Sequence, residues 1–267
     1  MNLRTAVGSI DLLLVTLDTL RYDAATKLHA AGRTPFLSSI LPAGWEERHS
    51  PGSFTFAAHA AFFAGFLPTP ARPGVHPRRF ALKFPGATTI GPETCVLEGP
   101  DIVAGLKAKG YRTICLGGTG FFNRLTPLGT VLPGLFDEAH WEPKFGVTEP
   151  DSTRYQVERA RERIEATTRS QPLFLFLNVS ALHQPNKHYL AGAEEDCLAS
   201  HEAALEYADR ELAALLPALE RRGRGGFGIV TSDHGTLYGE DGYVGHRVGH
   251  PAVWTVPYGE FTWSPGR

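Results

Sequence analysis

The sequence has no excess of charge of either sign. Its 26 Lys and Arg residues are balanced by 28 Asp and Glu residues, which gives a net charge of -2 at pH 7. Proteins that wrap nucleic acid or dock on anionic lipid present a basic surface. We therefore expect no nucleic-acid partner and no membrane partner, and any recognition of phosphate has to be local.

Long hydrophobic runs and paired cysteines are also missing. The apolar run of residues 12–17 ends at Asp18, far short of the roughly 20 residues that span a bilayer. The N-terminus lacks the charged start and cleavage region of a signal peptide. The three cysteines, Cys95, Cys115 and Cys197, form no CxxC or other ligand-like spacing. Free thiols fit a reducing cytoplasm, which is the location that we predict.

Helical and strand patterns alternate along the chain, as in βαβ units. Strands are predicted at residues 11–17, 111–116, 172–179 and 227–232, helices at 34–41, 56–65, 101–109, 151–170 and 194–222, and loops at 69–100 and 117–150. This alternation predicts an α/β fold with a mostly parallel central β-sheet and helices on both faces. No linker, repeat or low-complexity tract divides the 267 residues, so we predict a single domain at 1–267.

Two of the predicted strands end in side chains that bind metal ions. Asp18 follows the first strand, and Asp233 and His234 follow the last. Because parallel strands place their carboxyl ends at one edge of a sheet, these side chains can meet there and hold a divalent cation. A nitrogen ligand among oxygen ligands favours Zn²⁺ or Mn²⁺ over Ca²⁺. A turn-capping carboxylate or a loop histidine explains each residue alone, but not the set.

A hydroxyl and an imidazole stand at the start of the helix predicted at residues 56–65. Thr55 lies where a loop meets this helix, so the helix dipole and free backbone N–H groups favour its alkoxide and bind anionic oxygens. His59 lies one turn later on the same face and is predicted to contact a phosphoryl oxygen. Alone, an N-cap threonine and a structural histidine would be the better explanations. Beside the predicted cation, the hydroxyl becomes a candidate nucleophile and a further metal ligand.

Two more histidines follow predicted strands. His183 comes soon after the strand at 172–179, and His246 ends the segment Gly242-Tyr-Val-Gly-His246. At the same sheet edge they would bind a second cation or the phosphoryl group of a substrate. Their neighbours His188, Arg247 and His250 are plausible helpers, for which a polar rim or surface position is an equally good explanation.

The ordered set of motifs resembles the alkaline phosphatase and sulfatase superfamily of metal-dependent hydrolases. The resemblance covers about residues 10 to 257 and rests on order, since no single motif is decisive. The motifs are Leu14-Val-Thr-Leu-Asp-Thr-Leu-Arg-Tyr-Asp23, Phe54-Thr-Phe-Ala-Ala-His59, Gly110-Tyr-Arg-Thr113, the strand from Pro172 leading to His183, Tyr207-Ala-Asp-Arg-Glu-Leu212 and Ser232-Asp-His-Gly235. The resemblance implies an alkaline phosphatase-like fold, a metal ligand at Asp18, the nucleophile at Thr55, and His59 where sulfatases keep an active-site arginine.

Departures from the sulfatase pattern narrow the expected reaction. Sulfatases need a cysteine or serine that is converted to formylglycine, and Thr55 is neither. Gly118 and Gly120 stand where sulfatases place the lysine and histidine that hold sulfate, so sulfate ester hydrolysis is disfavoured. Threonine nucleophiles occur in the superfamily's phosphodiesterases, phosphonate hydrolases and phosphoethanolamine transferases, and the spacing from Asp233 to His246 resembles the last group.

A second metal site lacks one ligand that the resemblance implies. Val179 stands where nucleotide pyrophosphatase-like members carry an aspartate. A site with only His183 and His246 forms weakly, fills only with substrate, or binds phosphate without metal, and these alternatives stay open.

The leading prediction is a metal-dependent hydrolase of phosphate mono- or diesters or of phosphonates, with a small-molecule phosphorylated substrate. The cation activates Thr55 for attack on phosphorus, and water then releases a phosphothreonine. His183 and His246 stabilise the transferring group or hold the second cation, and His59 and Asn123 are further candidates for oxyanion contacts. The alternatives are phosphoethanolamine transferase-like transfer, sulfatase-like hydrolysis, and a non-catalytic metal- or phosphate-binding protein. The oligomeric state stays open.

Overall fold

The computed structural model of the chain describes residues 2–65 and 101–266. The loop predicted at residues 69–100 and Cys95 therefore lie outside the described residues. Within the described part, no helix is long and apolar enough to cross a membrane.

Strands and helices alternate along the two described ranges. The strands are β1 (Asp11–Leu17), β2 (Glu46–His49), β3 (Arg112–Leu116), β4 (Glu138–His140), β5 (Leu173–Val179), β6 (Gly226–Thr231), β7 (Leu237–Tyr238), β8 (Val244–Gly245) and β9 (Thr255–Trp263). The helices are α1 (Leu3–Ala6), α2 (Tyr22–Ala30), α3 (Pro35–Ile40), α4 (Thr55–Ala64), α5 (Ile102–Ala108), α6 (Pro127–Val131), α7 (Ser152–Ala166), α8 (Leu198–Leu212), α9 (Leu215–Glu220) and α10 (Pro251–Trp254).

A seven-stranded sheet forms the centre of the described residues, in the order β2-β9-β6-β1-β5-β3-β4. β1 pairs in parallel with both β5 and β6, and β3 pairs in parallel with β5 and β4. β9 and β2 are added antiparallel at the β6 edge. The predicted α/β fold with a mostly parallel sheet is therefore confirmed, whereas the antiparallel edge was not predicted.

Both faces of the sheet are covered by helices. Along β5, Leu173, Leu175 and Leu177 belong to the core cluster on one face, which α2, α7 and α8 also join. Phe174 and Phe176 belong to the cluster on the other face, with α4 and α5. A strand that is buried on both faces has a continuous apolar run rather than an alternating pattern, which explains why the strand at this position could be predicted.

Some predictions of local structure need correction. The single helix predicted at residues 194–222 is two helices, α8 and α9. Pro217 has no backbone N–H, and its ring would clash with the carbonyl of Ala213 in a continuous helix, so the chain turns between them. Residues 117–150, predicted to be loop, contain α6 and the edge strand β4.

A buried ion pair fixes the amino-terminal end of β1. Arg222 Nε donates to Asp11 Oδ2 at 2.6 Å, and both residues are buried. Arg224 Nε donates to Asp11 Oδ1 at 3.2 Å, and the backbone N–H of Leu173 donates to the same oxygen at 2.9 Å. Asp11 thus joins β1, β5 and the segment before β6 at the sheet edge opposite to the predicted metal ligands.

Asp11→Ala should lower the free energy of unfolding by about 3–5 kcal/mol, because it leaves the charge of Arg222 buried without its carboxylate. Urea denaturation followed by circular dichroism measures the change. Glu165→Ala is the control, since it removes an ion pair with Arg221 whose side chains are both more than half exposed, and such pairs contribute little. Equal losses of the free energy of unfolding in the two variants would contradict the stabilising role of the buried Asp11–Arg222 pair.

Candidate active site

The predicted site residues meet at the carboxyl edge of the parallel strands. Asp18 directly follows β1, His183 follows β5, and Asp233 and His234 follow β6. Thr55 is the first residue of α4. Because neighbouring parallel strands end on the same side of the sheet, residues far apart in sequence reach one place.

Asp18, Asp233 and His234 form a buried group whose ligand atoms all lie within 4.8 Å of one another. Among the described residues, Oδ1 of Asp18 and Oδ2 of Asp233 have no hydrogen-bond partner. Buried polar atoms are nearly always paired, so two orphaned carboxylate oxygens beside an imidazole have the character of a divalent-cation donor set. The residues present therefore fit the predicted metal site.

The two aspartates are poorly suited to carry their charges without a cation. Burial, and next the charge of Asp233, raise the pKa of Asp18 to about 6. Burial raises the pKa of Asp233 to about 7, although the backbone N–H groups of Thr19 and His234 donate to this carboxylate and oppose the rise. A bound divalent cation would supply the missing positive charge and favour the ionised forms.

Backbone carbonyls orient the imidazoles of His234 and His183. Nδ1 of His234 lies 2.9 Å from the carbonyl oxygen of Gly235, and Nδ1 of His183 lies 2.5 Å from that of Gln184. A carbonyl oxygen only accepts, so each Nδ1 carries a proton and each Nε2 is the nitrogen left to bind a cation. Burial lowers the pKa of His234, which favours its neutral form. Metal-binding histidines are commonly held in this way.

The hydroxyl of Thr55 lies against the same group. Thr55 is 2 % exposed, and its Oγ1 lies 3.3 Å from Oδ2 of Asp18 and 3.4 Å from Nε2 of His234. Its position in the first turn of α4 adds the positive end of the helix dipole, which favours negative charge on the oxygen. The structure thus places the predicted nucleophile beside the predicted cation ligands.

His183 and His246 lie next to the site. Their ring centroids are 5.4 Å apart, and the ring of His246 lies 4.6 Å from that of His234. Burial, followed by the charges of His234 and His183, lowers the pKa of His246 to about 3, so its ring is neutral at pH 7. Within the described residues, the three-ligand group does not extend to either histidine, and the second cation stays a prediction.

His59 does not reach the surface of the site. Its ring is wholly buried, with Nδ1 2.7 Å from the carbonyl oxygen of Thr55 and Nε2 3.0 Å from the hydroxyl of Thr16. The rings of Phe122 and Phe176 pack against it at centroid distances of 5.3 and 5.5 Å. The structure therefore does not support the predicted contact with a phosphoryl oxygen, because this face of α4 is turned toward the sheet beneath Thr55.

A cavity of about 610 Å³ opens over Thr55. Its walls include Asn123, His183, His246 and Arg247, so a further oxyanion candidate and one predicted helper lie where a substrate would bind. The guanidinium of Arg247 is the cationic group among them. These residues supply the polar and positively charged groups that recognise a phosphorylated molecule.

The other predicted helpers have different surroundings. Nδ1 of His250 accepts the backbone N–H of Ala252 at 3.0 Å and so caps α10, while its Nε2 lies 3.1 Å from Asp241. The ring of His188 packs against Tyr189 at a centroid distance of 4.2 Å. Neither histidine belongs to the cavity wall among the described residues.

Asn178 is a site residue that the sequence analysis missed. It is wholly buried in β5, and its Nδ2 donates to Oδ2 of Asp18 at 3.1 Å. The available signal was a single amide in an otherwise apolar strand, since a buried amide needs polar partners. Val179, the next residue, is buried in the core and offers no ligand.

Metal-free protein should lose stability as the pH rises from about 4 to about 7. The folded-state pKa values of Asp18 and Asp233 are raised above their unfolded values. In this pH range the folded state therefore binds more protons than the unfolded state, and its stability falls as these protons dissociate. Asp18→Asn removes one buried charge. At pH 7.5 the metal-free variant should exceed metal-free wild type in stability by on the order of 2 kcal/mol, as calorimetry in chelator would show.

Saturating Zn²⁺ should stabilise wild type strongly and Asp18→Asn little. Asp209→Ala is the control for the loss of a buried carboxylate, because Asp209 accepts the N–H groups of Phe36 and Leu37 and its removal should destabilise the protein. A lower melting temperature for metal-free Asp18→Asn than for metal-free wild type at pH 7.5 would refute the electrostatic argument.

No protein-family model and no curated protein sequence matches the chain. Solved structures match it over nearly all of its length. The C-terminal periplasmic domain of EcEptC from Escherichia coli, in complex with Zn, matches with a TM-score of 0.66 and 13% identity, over 96% of this chain and 73% of that chain.

Two further structures match in the same way. The soluble domain of lipooligosaccharide phosphoethanolamine transferase A from Neisseria meningitidis has a TM-score of 0.63 and 15% identity, over 96% of this chain and 77% of that chain. A protein in the alkaline phosphatase superfamily from Vibrio parahaemolyticus has a TM-score of 0.59 and 16% identity, over 96% of this chain and 60% of that chain.

The comparisons bear on two further predictions. Zn is bound by the E. coli domain, whereas in this chain the predicted divalent cation rests on the Asp18, Asp233 and His234 group. The E. coli domain is periplasmic, and the cytoplasmic location of this chain stays a prediction. The chain has the fold of the alkaline phosphatase and sulfatase superfamily, as its ordered motifs predicted.

Proposed function

We propose that the protein is a metal-dependent enzyme that transfers a phosphorus-containing group through a covalent phosphothreonine at Thr55. The observation that carries this proposal is the position of the Thr55 hydroxyl, 3.3 Å from Asp18 and 3.4 Å from His234 and on the wall of the cavity. A hydroxyl that shares its neighbours with a cation site has the arrangement of an activated nucleophile.

Asp18, Asp233 and His234 would hold the cation, with Thr55 as a further ligand. When bound there, a divalent cation lowers the pKa of an adjacent hydroxyl and offsets the charge of a phosphate. The mixed oxygen and nitrogen donors favour Zn²⁺, with Mn²⁺ as the second candidate. The hydrogen bond from Thr55 to Asp18 orients the hydroxyl within this set.

The side chains around the cavity serve the transferring group. Thr55 gives up its hydroxyl proton and attacks phosphorus, and the ester oxygen departs with its electron pair and takes up a proton. An acceptor hydroxyl then loses its proton and displaces Thr55, which regains one. His183 and His246 are placed to contact the oxygens of the transferring group or to hold a second cation. Arg247 and Asn123 add a positive charge and an amide on the same cavity wall, where they favour an anionic substrate.

Phospho-head-group transfer is the reaction that the comparisons favour. One of the similar structures is a phosphoethanolamine transferase, and this chain spans 77% of its length. The sequence alone favours hydrolysis, with transfer as the alternative. We now place phospho-head-group transfer first and hydrolysis of phosphate esters or phosphonates second. A small phosphorylated substrate is common to both.

The remaining alternatives are less well supported. Sulfatase-like hydrolysis lacks its formylglycine precursor, because threonine occupies position 55. A non-catalytic binding protein would not need a hydroxyl held between Asp18 and His234. The seven-stranded sheet with a core on each face supports one catalytic domain over residues 1–267.

Thr55→Ala should lower turnover by at least about 1000-fold, because among the described residues Thr55 supplies the hydroxyl that lies against both Asp18 and His234. Mass spectrometry of acid-quenched protein, mixed with an aryl phosphodiester and Zn²⁺, should detect a phosphorylated species in wild type and none in the variant. Thr55→Ser is the matched control and should keep the adduct. Wild-type activity in Thr55→Ala would rule out the nucleophile.

Product analysis distinguishes transfer from hydrolysis. With a phosphodiester donor and rising concentrations of a primary alcohol, phosphorus NMR should show the alcohol's phosphodiester as a growing share of the product. This result is expected because the acceptor, rather than water, would then release the phosphothreonine. If only the product of hydrolysis forms at every alcohol concentration, hydrolysis is the reaction.

A further inference from the structure

Thr55 closes a ring of buried hydrogen bonds, here called the Thr55 ring. Its Oγ1 lies 3.3 Å from Oδ2 of Asp18, and Nδ2 of Asn178 lies 3.1 Å from that same oxygen. Nδ2 of Asn178 also lies 3.3 Å from the hydroxyl of Thr16, which is 3.0 Å from Nε2 of His59. Nδ1 of His59 returns to the carbonyl oxygen of Thr55 at 2.7 Å. None of the five residues is more than 2% exposed.

The direction of each bond in the Thr55 ring follows from its acceptors. The carbonyl oxygen of Thr55 only accepts, so His59 carries its proton on Nδ1 and accepts at Nε2. Thr16 must then donate its hydroxyl proton to His59, and its oxygen accepts from Asn178. The second amide hydrogen of Asn178 goes to Asp18. Since no member can reverse its bond alone, the ring favours one arrangement of the nucleophile and the cation ligand.

The oxygen of Asn178 connects the ring to the cavity wall. Oδ1 accepts the backbone N–H groups of Gly118 at 3.3 Å and Thr119 at 3.1 Å. These two donors fix which way the amide faces, because they require an oxygen on that side. A Cβ at Gly118 would lie 2.5 Å from the carbonyl oxygen of Asn178, so glycine permits the close approach. Thr119 itself lines the cavity above Thr55.

We propose that Asn178 is a positioning residue that couples the cavity wall at Thr119 to the cation ligand Asp18 and to the nucleophile Thr55. This inference rests on the function proposed for Thr55. A phosphorylated molecule that contacts the Gly118–Thr119 segment acts, through one amide, on both the carboxylate and the helix turn that bear the reactive groups. Asn178 does so without touching the substrate.

Two substitutions separate the two arms of this coupling. Asn178→Ala removes the donor to Asp18 and should weaken Zn²⁺ binding by about 10- to 100-fold. Thr16→Val breaks the arm that runs through His59 and leaves the bond to Asp18, so it should slow phosphothreonine formation about 10-fold while KM and Zn²⁺ affinity change less. The Zn²⁺ affinity of the intact chain is measured by competition with a chromophoric chelator. This measurement does not depend on turnover.

Ser180→Ala is the matched control. Ser180 is also wholly buried just after β5, and its hydroxyl donates to the carbonyl of Phe145 at 2.6 Å, outside the Thr55 ring. It should lower the melting temperature without weakening Zn²⁺ binding. If Asn178→Ala does not fold, Asn178→Ser supplies the same comparison with a smaller loss of buried polar contacts.

Equal Zn²⁺ affinity in the folded Asn178 variant and in Ser180→Ala overturns the coupling, even if wild type forms its phosphothreonine. The proposed function fails in a different way, namely when wild type binds Zn²⁺ but no adduct appears at Thr55. In that case, a loss of Zn²⁺ affinity in the Asn178 variant alone still supports the positioning of Asp18 by Asn178.

Discussion

The arrangement of the site depends on two carboxylates, those of Asp18 and Asp233, that are buried close together in the protein interior. Asp18 is fixed at the end of the central strand, and one oxygen of Asp233 accepts the backbone N–H groups of Thr19 and His234. Both side chains are wholly buried, so neither carboxylate is solvated by water and the repulsion between their negative charges persists. Burying these charges destabilises the metal-free fold. A bound cation would remove this destabilisation, and the free energy regained would add to the affinity of the site for the cation.

The central strand uses charge in opposite ways at its two ends. At its amino end, Asp11 meets Arg222 and Arg224, so the burial of a carboxylate is compensated within the chain. At its carboxyl end, Asp18 has no basic side chain among its hydrogen-bond partners in the described residues, only the donors Thr55 and Asn178. The ion pairs of Asp11 stabilise the fold. The charge of Asp18 is not compensated by such a pair, which leaves a positively charged ligand to compensate it. Segregation of this kind is characteristic of parallel sheets, whose carboxyl ends carry the functional sites.

The parts of the site that could be predicted depend on short stretches of sequence. Apolar runs that end in Asp18 or in Asp233 and His234 predict both the strands and their ligands, since strand and ligand are adjacent. The burial of His59 could not be predicted in this way, because it depends on how α4 lies against the sheet. The role of Asn178 depends on partners in β1 and in the loop after β3, so no local pattern reveals it. The antiparallel edge was missed for the same reason, since β2 and β9 pair across most of the chain.

The distance along the sequence between the cation ligands has a consequence for biosynthesis. The contact between Thr19 and Asp233 spans 214 residues, and contacts of such separation form late in folding because a large loop must first be closed. A chain still emerging from the ribosome has made Asp18 and Thr55 long before Asp233 and His234. It therefore has neither the paired carboxylates nor a hydroxyl held beside them, and the proposed chemistry can begin only when the fold is complete.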